Sequence, residues 1–246
     1  MQVPIAQPPW SGLGKRLESM VRKALFDFKM LENVSDLAIA LSGGKDSLAL
    51  LFFLHAIKGR GFSDFNLHAV HVSGEFSCGA GVNTDYLKRI CDQLNVNFIT
   101  CESTQKLETL ECYSCSRERR RLLFDACKSV GAETIAFGHH RDDNAQTILM
   151  NLLHKAEFAG NLPKLKMQDY GVTIIRPLIY VAEADIRTFA QQHQFMRITC
   201  RCPVGQTSMR KKVDTLLEEL VALFPNAREN IAMAGLLYGS DKAKIP

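Results

Sequence analysis

The sequence predicts a doubly wound α/β fold: a mostly parallel sheet with helices on both faces and a helical C-terminal tail. Three observations predict it. Short apolar runs alternate with segments whose apolar residues recur at helical spacing. Two of those runs end in loops dense in glycine and charge, as strand ends facing a ligand do. The composition, 46% hydrophobic and 23% charged over 246 residues, is that of an ordinary globular chain.

Residues 11–32 open with Ser11 as an N-cap. They carry Leu13, Leu17, Met20, Val21, Ala24, Leu25, Phe28 and Leu31 on one face, with Lys15, Arg16, Arg22 and Lys23 off it, which predicts a helix. Leu37–Leu41 is a short strand that runs through SGGKDS into the apolar helix Leu48–Ile57. The alternation then continues. Leu67–Val72 is strand, Asn83–Leu94 helix, Asn97–Cys101 strand and Arg117–Val130 helix, with Cys112-x-x-Cys115 preceding that helix. Thr134–Phe137 is a strand ending in GHHRDD, followed by a helix striped by Ala145, Ile148, Leu149, Leu152 and Leu153. Val172–Ile175 is one more strand and Ala182–His193 one more helix, while the chain from Met209 onward is helical and free of strands. Strands joined through helices make βαβ units and hence parallel pairing. The domain division expected is an N-terminal helix (1–33), an α/β domain (34–200) and a helical C-terminal region (201–246).

Several classes are excluded at once. The chain has no low-complexity stretch or internal repeat, and its longest strongly apolar run, Leu48–Ile57, is too short to span a bilayer. The N-terminus lacks the basic start and apolar core of a secretory signal, so a cytoplasmic protein without a membrane partner is expected. Eight cysteines without an export signal do not read as a disulfide framework. The net charge of +4 permits nucleic-acid binding without arguing for it.

SGGKDS places Ser42, Gly43, Gly44, Lys45, Asp46 and Ser47 at a strand end. The glycines let the backbone turn with positive φ and approach a ligand, and the amides that follow point at an anion from a helix N-terminus. It is not the GxxxxGK[ST] phosphate loop, because no glycine stands five residues before Gly44 and Asp46 follows Lys45. In the second strand-end motif, Gly138-His139-His140-Arg141-Asp142-Asp143, helix capping accounts for one aspartate. Two carboxylates beside two histidines also suit Mg²⁺ on nucleotide phosphates. A zinc pair at His139-His140 is disfavoured because adjacent side chains diverge.

Cys112 and Cys115 have a second pair, Cys200 and Cys202, far downstream; Cys78, Cys91, Cys101 and Cys127 read as core or incidental. The pairs admit a structural zinc site, a thiol relay or an iron–sulfur cluster. Cys-x-Cys is tighter than the usual zinc half-site, and residue chemistry alone leaves cluster and relay open. Arg117, Arg119, Arg120 and Arg121 form a basic cluster beside the first pair; Lys164, Lys166, Arg210, Lys211 and Lys212 form others. Either a solvated face or contact with phosphate backbone accounts for them, and on the second reading Arg119→Ala weakens RNA binding and flattens its salt dependence.

SGGKDS after a first apolar strand resembles the pyrophosphate loop of the N-type ATP pyrophosphatases, the PP-loop superfamily. With it occur CxxC followed by SRERR, then GHHRDD, Leu162-Pro163-Lys164-Leu165 and Ile175-Arg176-Pro177-Leu178, in the order seen in tRNA 2-thiocytidine synthetases. The resemblance runs from about Leu13 to Arg210. It implies ATP- and Mg²⁺-dependent thiolation at C2 of a cytidine (position 32) in the anticodon loop. On this resemblance Ser42–Ser47, Gly138 and His139 bind ATP, Lys45, Asp46, Asp142 and Asp143 carry the chemistry, and Arg117, Arg119, Arg120 and Arg121 meet tRNA. The resemblance also implies a [4Fe–4S] cluster on three cysteines: Cys112, Cys115 and, counting back from Arg210, Cys202. It implies a sulfur donor such as a cysteine desulfurase, with a homodimer as an allowed assembly. The family's downstream pair is CxxC where this chain has CxCP, and the segment His71–Gly81 departs from the family's sequence. The competing readings are 2-thiouridine or lysidine synthesis by another enzyme of the superfamily, and a zinc-stapled module that binds tRNA or nucleotide. An intact ATP loop weighs against the last.

Overall fold

The computed structural model describes residues 3–74, 82–105, 112–196 and 209–240, with Cys112 and Tyr113 described by backbone alone. Cys78, Cys200 and Cys202 lie outside the described residues. Six strands form one sheet in the order β3-β2-β1-β4-β6-β5. They are β1 (Asp36–Ala40), β2 (Asn66–Ser73), β3 (Asn97–Glu102), β4 (Thr134–Ala136), β5 (Lys164–Met167) and β6 (Val172–Ile175). Every pairing is parallel except β5 on β6, which is antiparallel.

The described helices are α1 (Gly12–Asp27), α2 (Lys45–Ile57), α3 (Thr84–Gln93), α4 (Cys112–Ser129), α5 (Arg141–Lys155), α6 (Glu183–Gln192), α7 (Met209–Leu223) and α8 (Ala227–Tyr238). α2 is apolar on nearly every side and buried along most of its length, the pattern of a central helix rather than a surface one. The β1 side chains alternate between two cores. Leu37, Ile39 and Leu41 join α1, α2 and α6, whereas Ala38 joins Val70, Val72, Ile135 and Ile174 under Leu123, Phe124 and Cys127 of α4. Val3, Ala6 and Trp10 belong to the first core, so the N-terminal segment packs with the sheet. α7 and α8 pack on α5, where a Cβ on Gly235 would strike Ile148. Asn144 of α5 donates to the Ala232 carbonyl at 3.3 Å, which fixes the same contact.

Three boundaries differ from expectation. α4 starts at Cys112, so CxxC forms its first turn rather than preceding it. Lys164–Met167 adds a strand where none was expected; it is short and hydrogen-bonds only along its β6 edge. α1 ends at Asp27 because the chain turns left-handed at Lys29 (φ 46°), although Phe28 and Leu31 stay buried. Ser11 stands at the N-cap, but its side chain makes no capping bond.

From β1 the chain winds outward to β2 and β3; it then returns to lay β4 on the other side of β1. That reversal opens a crevice beyond the C-terminal ends of β1 and β4, where doubly wound sheets bind their ligands. SGGKDS follows β1 and GHHRDD follows β4, so both motifs flank it.

Candidate active site

Gly43 takes φ 83°, a conformation costly to a side chain, and turns the chain so that Gly44 becomes the N-cap of α2. Two serines lock the turn. Ser42 Oγ accepts from Gly44 N–H at 3.3 Å and lies 3.1 Å from Ser47 Oγ, which donates to the Gly44 carbonyl at 3.0 Å. The amides of the turn crown the positive end of a buried helix.

The second motif presses against this loop. A Cβ on Gly138 would lie 3.1 Å from the carbonyl carbon of Asp46 and 3.1 Å from Ser47 N, tighter than ordinary contact. Only glycine admits that approach. His140 caps α5: its Nδ1 accepts from Asp143 N–H at 3.3 Å, and Asp143 Oδ2 accepts from His140 N–H at 3.1 Å. Asp142 caps a different helix, its Oδ2 accepting from Glu183 N–H at the start of α6 at 2.8 Å. Both aspartates thus cap helices, whereas the sequence led us to expect capping from one. Their other oxygens face arginines of the C-terminal helices, Asp142 Oδ1 lying 3.9 Å from Arg228 and Asp143 Oδ1 3.7 Å from Arg210.

Asp46 differs. Its Oδ2 accepts from Lys45 at 3.0 Å, whereas its Oδ1 is buried without a hydrogen-bond partner, 3.9 Å from His140 Nε2. No group of three His, Cys, Asp or Glu residues among the described residues forms a metal cage. Mg²⁺ that keeps its phosphate and water ligands needs only one or two carboxylates, and the orphaned Asp46 oxygen fits that role.

Residue patterns did not reveal Glu183. Its Oε1 lies 2.9 Å from Lys45 Nζ, although an acidic residue in the first turn of a helix looked like ordinary capping. Burial alone would raise its pKa, but the Lys45 hydrogen bond and charge, with His140, outweigh burial and bring Glu183 down to about 2. Burial opposes the charge on Lys45 as well; Asp46 and Glu183 overcome it and hold the lysine above its ordinary value. The loop cation is permanently charged and aimed.

The histidine pair diverges, as adjacency required. His139 stacks on Phe137 (centroids 5.7 Å apart) and its Nδ1 is buried without a partner. Burial, then the charges of Arg176 and Arg210, keep His139 neutral. Arg176 is itself buried at the end of β6. Burial, with Arg120 adding to it, lowers its pKa to about 10, and its Nη1 donates to the Leu162 carbonyl.

Cys112 and Cys115 stand in the first turn of α4, at the end of the helix that favours anionic sulfur. The core cysteines are unsuited to ligation: burial pushes Cys91 and Cys127 to about 12 and raises Cys101 as well. A thiolate pair with a third sulfur from outside the described residues fits an iron–sulfur cluster chemically. The arginines of the same helix divide. Arg117, Arg120 and Arg121 are exposed, whereas Arg119 is half-buried and lines a cleft with Ala40, Leu41, Ser42, Val70, Val72 and Leu123. Among the described residues no helix is long and apolar enough to cross a membrane.

Comparison with known proteins places this arrangement. Residues 14–199 match a family model described as a PP-loop domain. The chain is 37% identical over 234 residues to a tRNA-cytidine(32) 2-sulfurtransferase of Xanthomonas euvesicatoria pv. vesicatoria, covering 90% of this chain and 75% of that protein. It is 33% identical over 231 residues to one of Dechloromonas aromatica, covering 90% and 79%. Among solved structures, the U34-tRNA thiolase NcsA from Methanococcus maripaludis with its [4Fe-4S] cluster superposes with a TM-score of 0.74 at 24% identity, covering 91% of this chain and 78% of that one. That likeness bears on the fold.

Proposed function

The chain belongs to the PP-loop family and, within it, to the tRNA-cytidine(32) 2-sulfurtransferases; on that premise we propose that it replaces the C2 oxygen of cytidine 32 in tRNA with sulfur, using ATP. One observation carries the residue-level reading. The glycine loop borders both neighbours: Gly138 of the acidic motif lies against Asp46 and Ser47, and Ser42 lines a cleft with Arg119 of the cysteine-bearing helix.

The amides of Gly44 to Ser47 and the Lys45 ammonium bind the β- and γ-phosphates. The C2 oxygen of the cytidine attacks the α-phosphorus, and the bond to pyrophosphate breaks. Lys45, held by Asp46 and Glu183, faces the charge that grows on that leaving group. Asp46 supplies a carboxylate oxygen to Mg²⁺ on the phosphates, with Asp142 or Asp143 beside it. The C2 oxygen, now esterified to AMP, departs with it when sulfur takes its place. Cys112, Cys115 and Cys202 would hold a [4Fe–4S] cluster, which when bound supplies an open iron for the incoming sulfur atom. A donor such as a cysteine desulfurase would supply that sulfur as a persulfide, and an external thiol would provide the two electrons that release it at the sulfide level. Arg117, Arg120 and Arg121 lie exposed to meet tRNA phosphates, and an anticodon-loop base can be unstacked into the crevice at modest cost.

The test is anaerobic purification followed by iron, zinc and sulfide analysis, then incubation with unmodified tRNA, ATP, Mg²⁺ and a sulfide source. About four irons and four acid-labile sulfides per chain, the content of one such cluster, with 2-thiocytidine at position 32 by mass spectrometry, is the expected result. Zinc without labile sulfide, and no thiolated base, would overturn it in favour of the zinc-stapled binding module. Modified uridine or lysidine instead would overturn the choice of base.

A further inference from the structure

The cleft beside the glycine loop contains a cation that the phosphate loop does not explain. Its lining is mostly aliphatic (Ala40 and Leu41 of the β1 end, Val70 and Val72 of β2, Leu123 of α4), and Ser42 and Arg119 are its polar members. Arg119 makes no hydrogen bond and no ion pair among the described residues, whereas Lys45 is held by two carboxylates. At 3.6 residues per turn, Cys115, Arg119 and Leu123 share one side of α4, and Arg117 and Arg121 lie on the opposite side. The exposed arginines therefore face where an RNA backbone can lie, and Arg119 faces the sheet. Its charge is felt inside the fold, where it adds to burial in keeping His71 neutral.

We propose that Arg119 binds the nucleotide rather than tRNA, its guanidinium taking the α-phosphate of ATP while the base lies against the aliphatic walls of the cleft. The proposal rests on the ATP-dependent reading above. With the β- and γ-phosphates on the loop amides after Ser42, the rest of the nucleotide must extend from the loop, and the cleft that begins at Ser42 receives it. Arg119 then stands one helical turn from Cys115, between the phosphorus under attack and the cysteine end of α4. A guanidinium there neutralises charge on the phosphate that the cytidine oxygen attacks, as bidentate arginine does elsewhere.

The experiment measures binding of α,β-methylene ATP with Mg²⁺, and separately of unmodified tRNA across a salt series, to the full-length wild type, Arg119→Ala, Arg119→Lys, Arg121→Ala and Lys45→Ala. Arg119→Ala is expected to weaken the nucleotide by at least about tenfold, the loss typical of a charge-assisted contact. Its tRNA affinity and salt slope should stay those of the wild type. Arg119→Lys should recover part of the nucleotide loss, which a merely structural role would not produce, and Arg121→Ala should show the converse pattern, with a salt slope lower by about one. Should Arg119→Ala fail to fold by circular dichroism, Arg119→Lys and Arg119→Gln carry the same comparison. Normal nucleotide binding by Arg119→Ala, with or without a flattened salt slope for tRNA, would overturn the proposal while loss in Lys45→Ala preserved the ATP reading. A wild type that binds no nucleotide would sink both.

Discussion

Gly138→Ala tests whether the two strand-end motifs function as one surface. The added methyl would sit 3.1 Å from two backbone atoms of the glycine loop and 3.3 Å from the Asp46 carbonyl oxygen, where ordinary contact begins at 3.4 Å. Backbone cannot rotate away as a flexible side chain can, so the loop or the turn after β4 must give by about 0.3 Å, an overpacking strain of about 1–2 kcal/mol. The same displacement misaims the amides of Asp46 and Ser47. Losing one aimed donor costs roughly a hundredfold in turnover, and a misplacement of about 1 Å costs a similar factor, so a third of that shift should lower kcat about fivefold. Gly12→Ala is the control: nothing lies within 4 Å of its Cβ, and its effect should stay within about 0.5 kcal/mol. Thermal melting and a steady-state thiolation assay with saturating tRNA read both quantities. Wild-type kcat and melting temperature in Gly138→Ala would refute the inference that the motifs press together.

Two further outcomes follow from packing and protonation. Gly235→Ala drives a methyl into Ile148 and should destabilise the chain by about 1–3 kcal/mol in denaturant unfolding, with the double variant Gly235→Ala, Ile148→Ala losing less than the sum of the singles; strict additivity would show that α8 does not seat there. His71 is buried, with Nδ1 2.8 Å from the Leu41 carbonyl, and burial first and then Arg119 lower its pKa. The unfolded histidine takes a proton below about pH 6.5 and the folded one does not. Stability should therefore fall as pH drops below that value, by about 1.4 kcal/mol per unit until the folded group titrates. His71→Asn should show a shallower slope between pH 7.5 and 5.5, and parallel slopes would contradict a neutral buried imidazole.

Much of this molecule was legible in local pattern. Strand and helix periodicity carried the order of elements and the parallel sheet, because side-chain period follows directly from backbone geometry. Both strand-end motifs were visible because a sharp turn at a strand end requires glycine, and SGGKDS crowds Lys45, Asp46 and two serines around its pair. Periodicity failed where its signal is short. Lys164–Met167 is four residues whose strand character rests on antiparallel pairing with β6, and Cys-Tyr-Ser-Cys carries no capping or apolar stripe to announce that α4 has begun.

The pairings across the crevice belonged to the tertiary structure alone. Glu183 meets Lys45, Asp142 caps α6 rather than its own helix, and Arg210 and Arg228 come back from the C-terminal helices to face the acidic motif. Each joins residues far apart in the chain, and no local rule of spacing connects them. The division of the arginine cluster has the same origin. Four basic residues within one stretch look alike in sequence, yet a turn of α4 every 3.6 residues and its seat over β2 send Arg117 and Arg121 outward and Arg119 into the cleft.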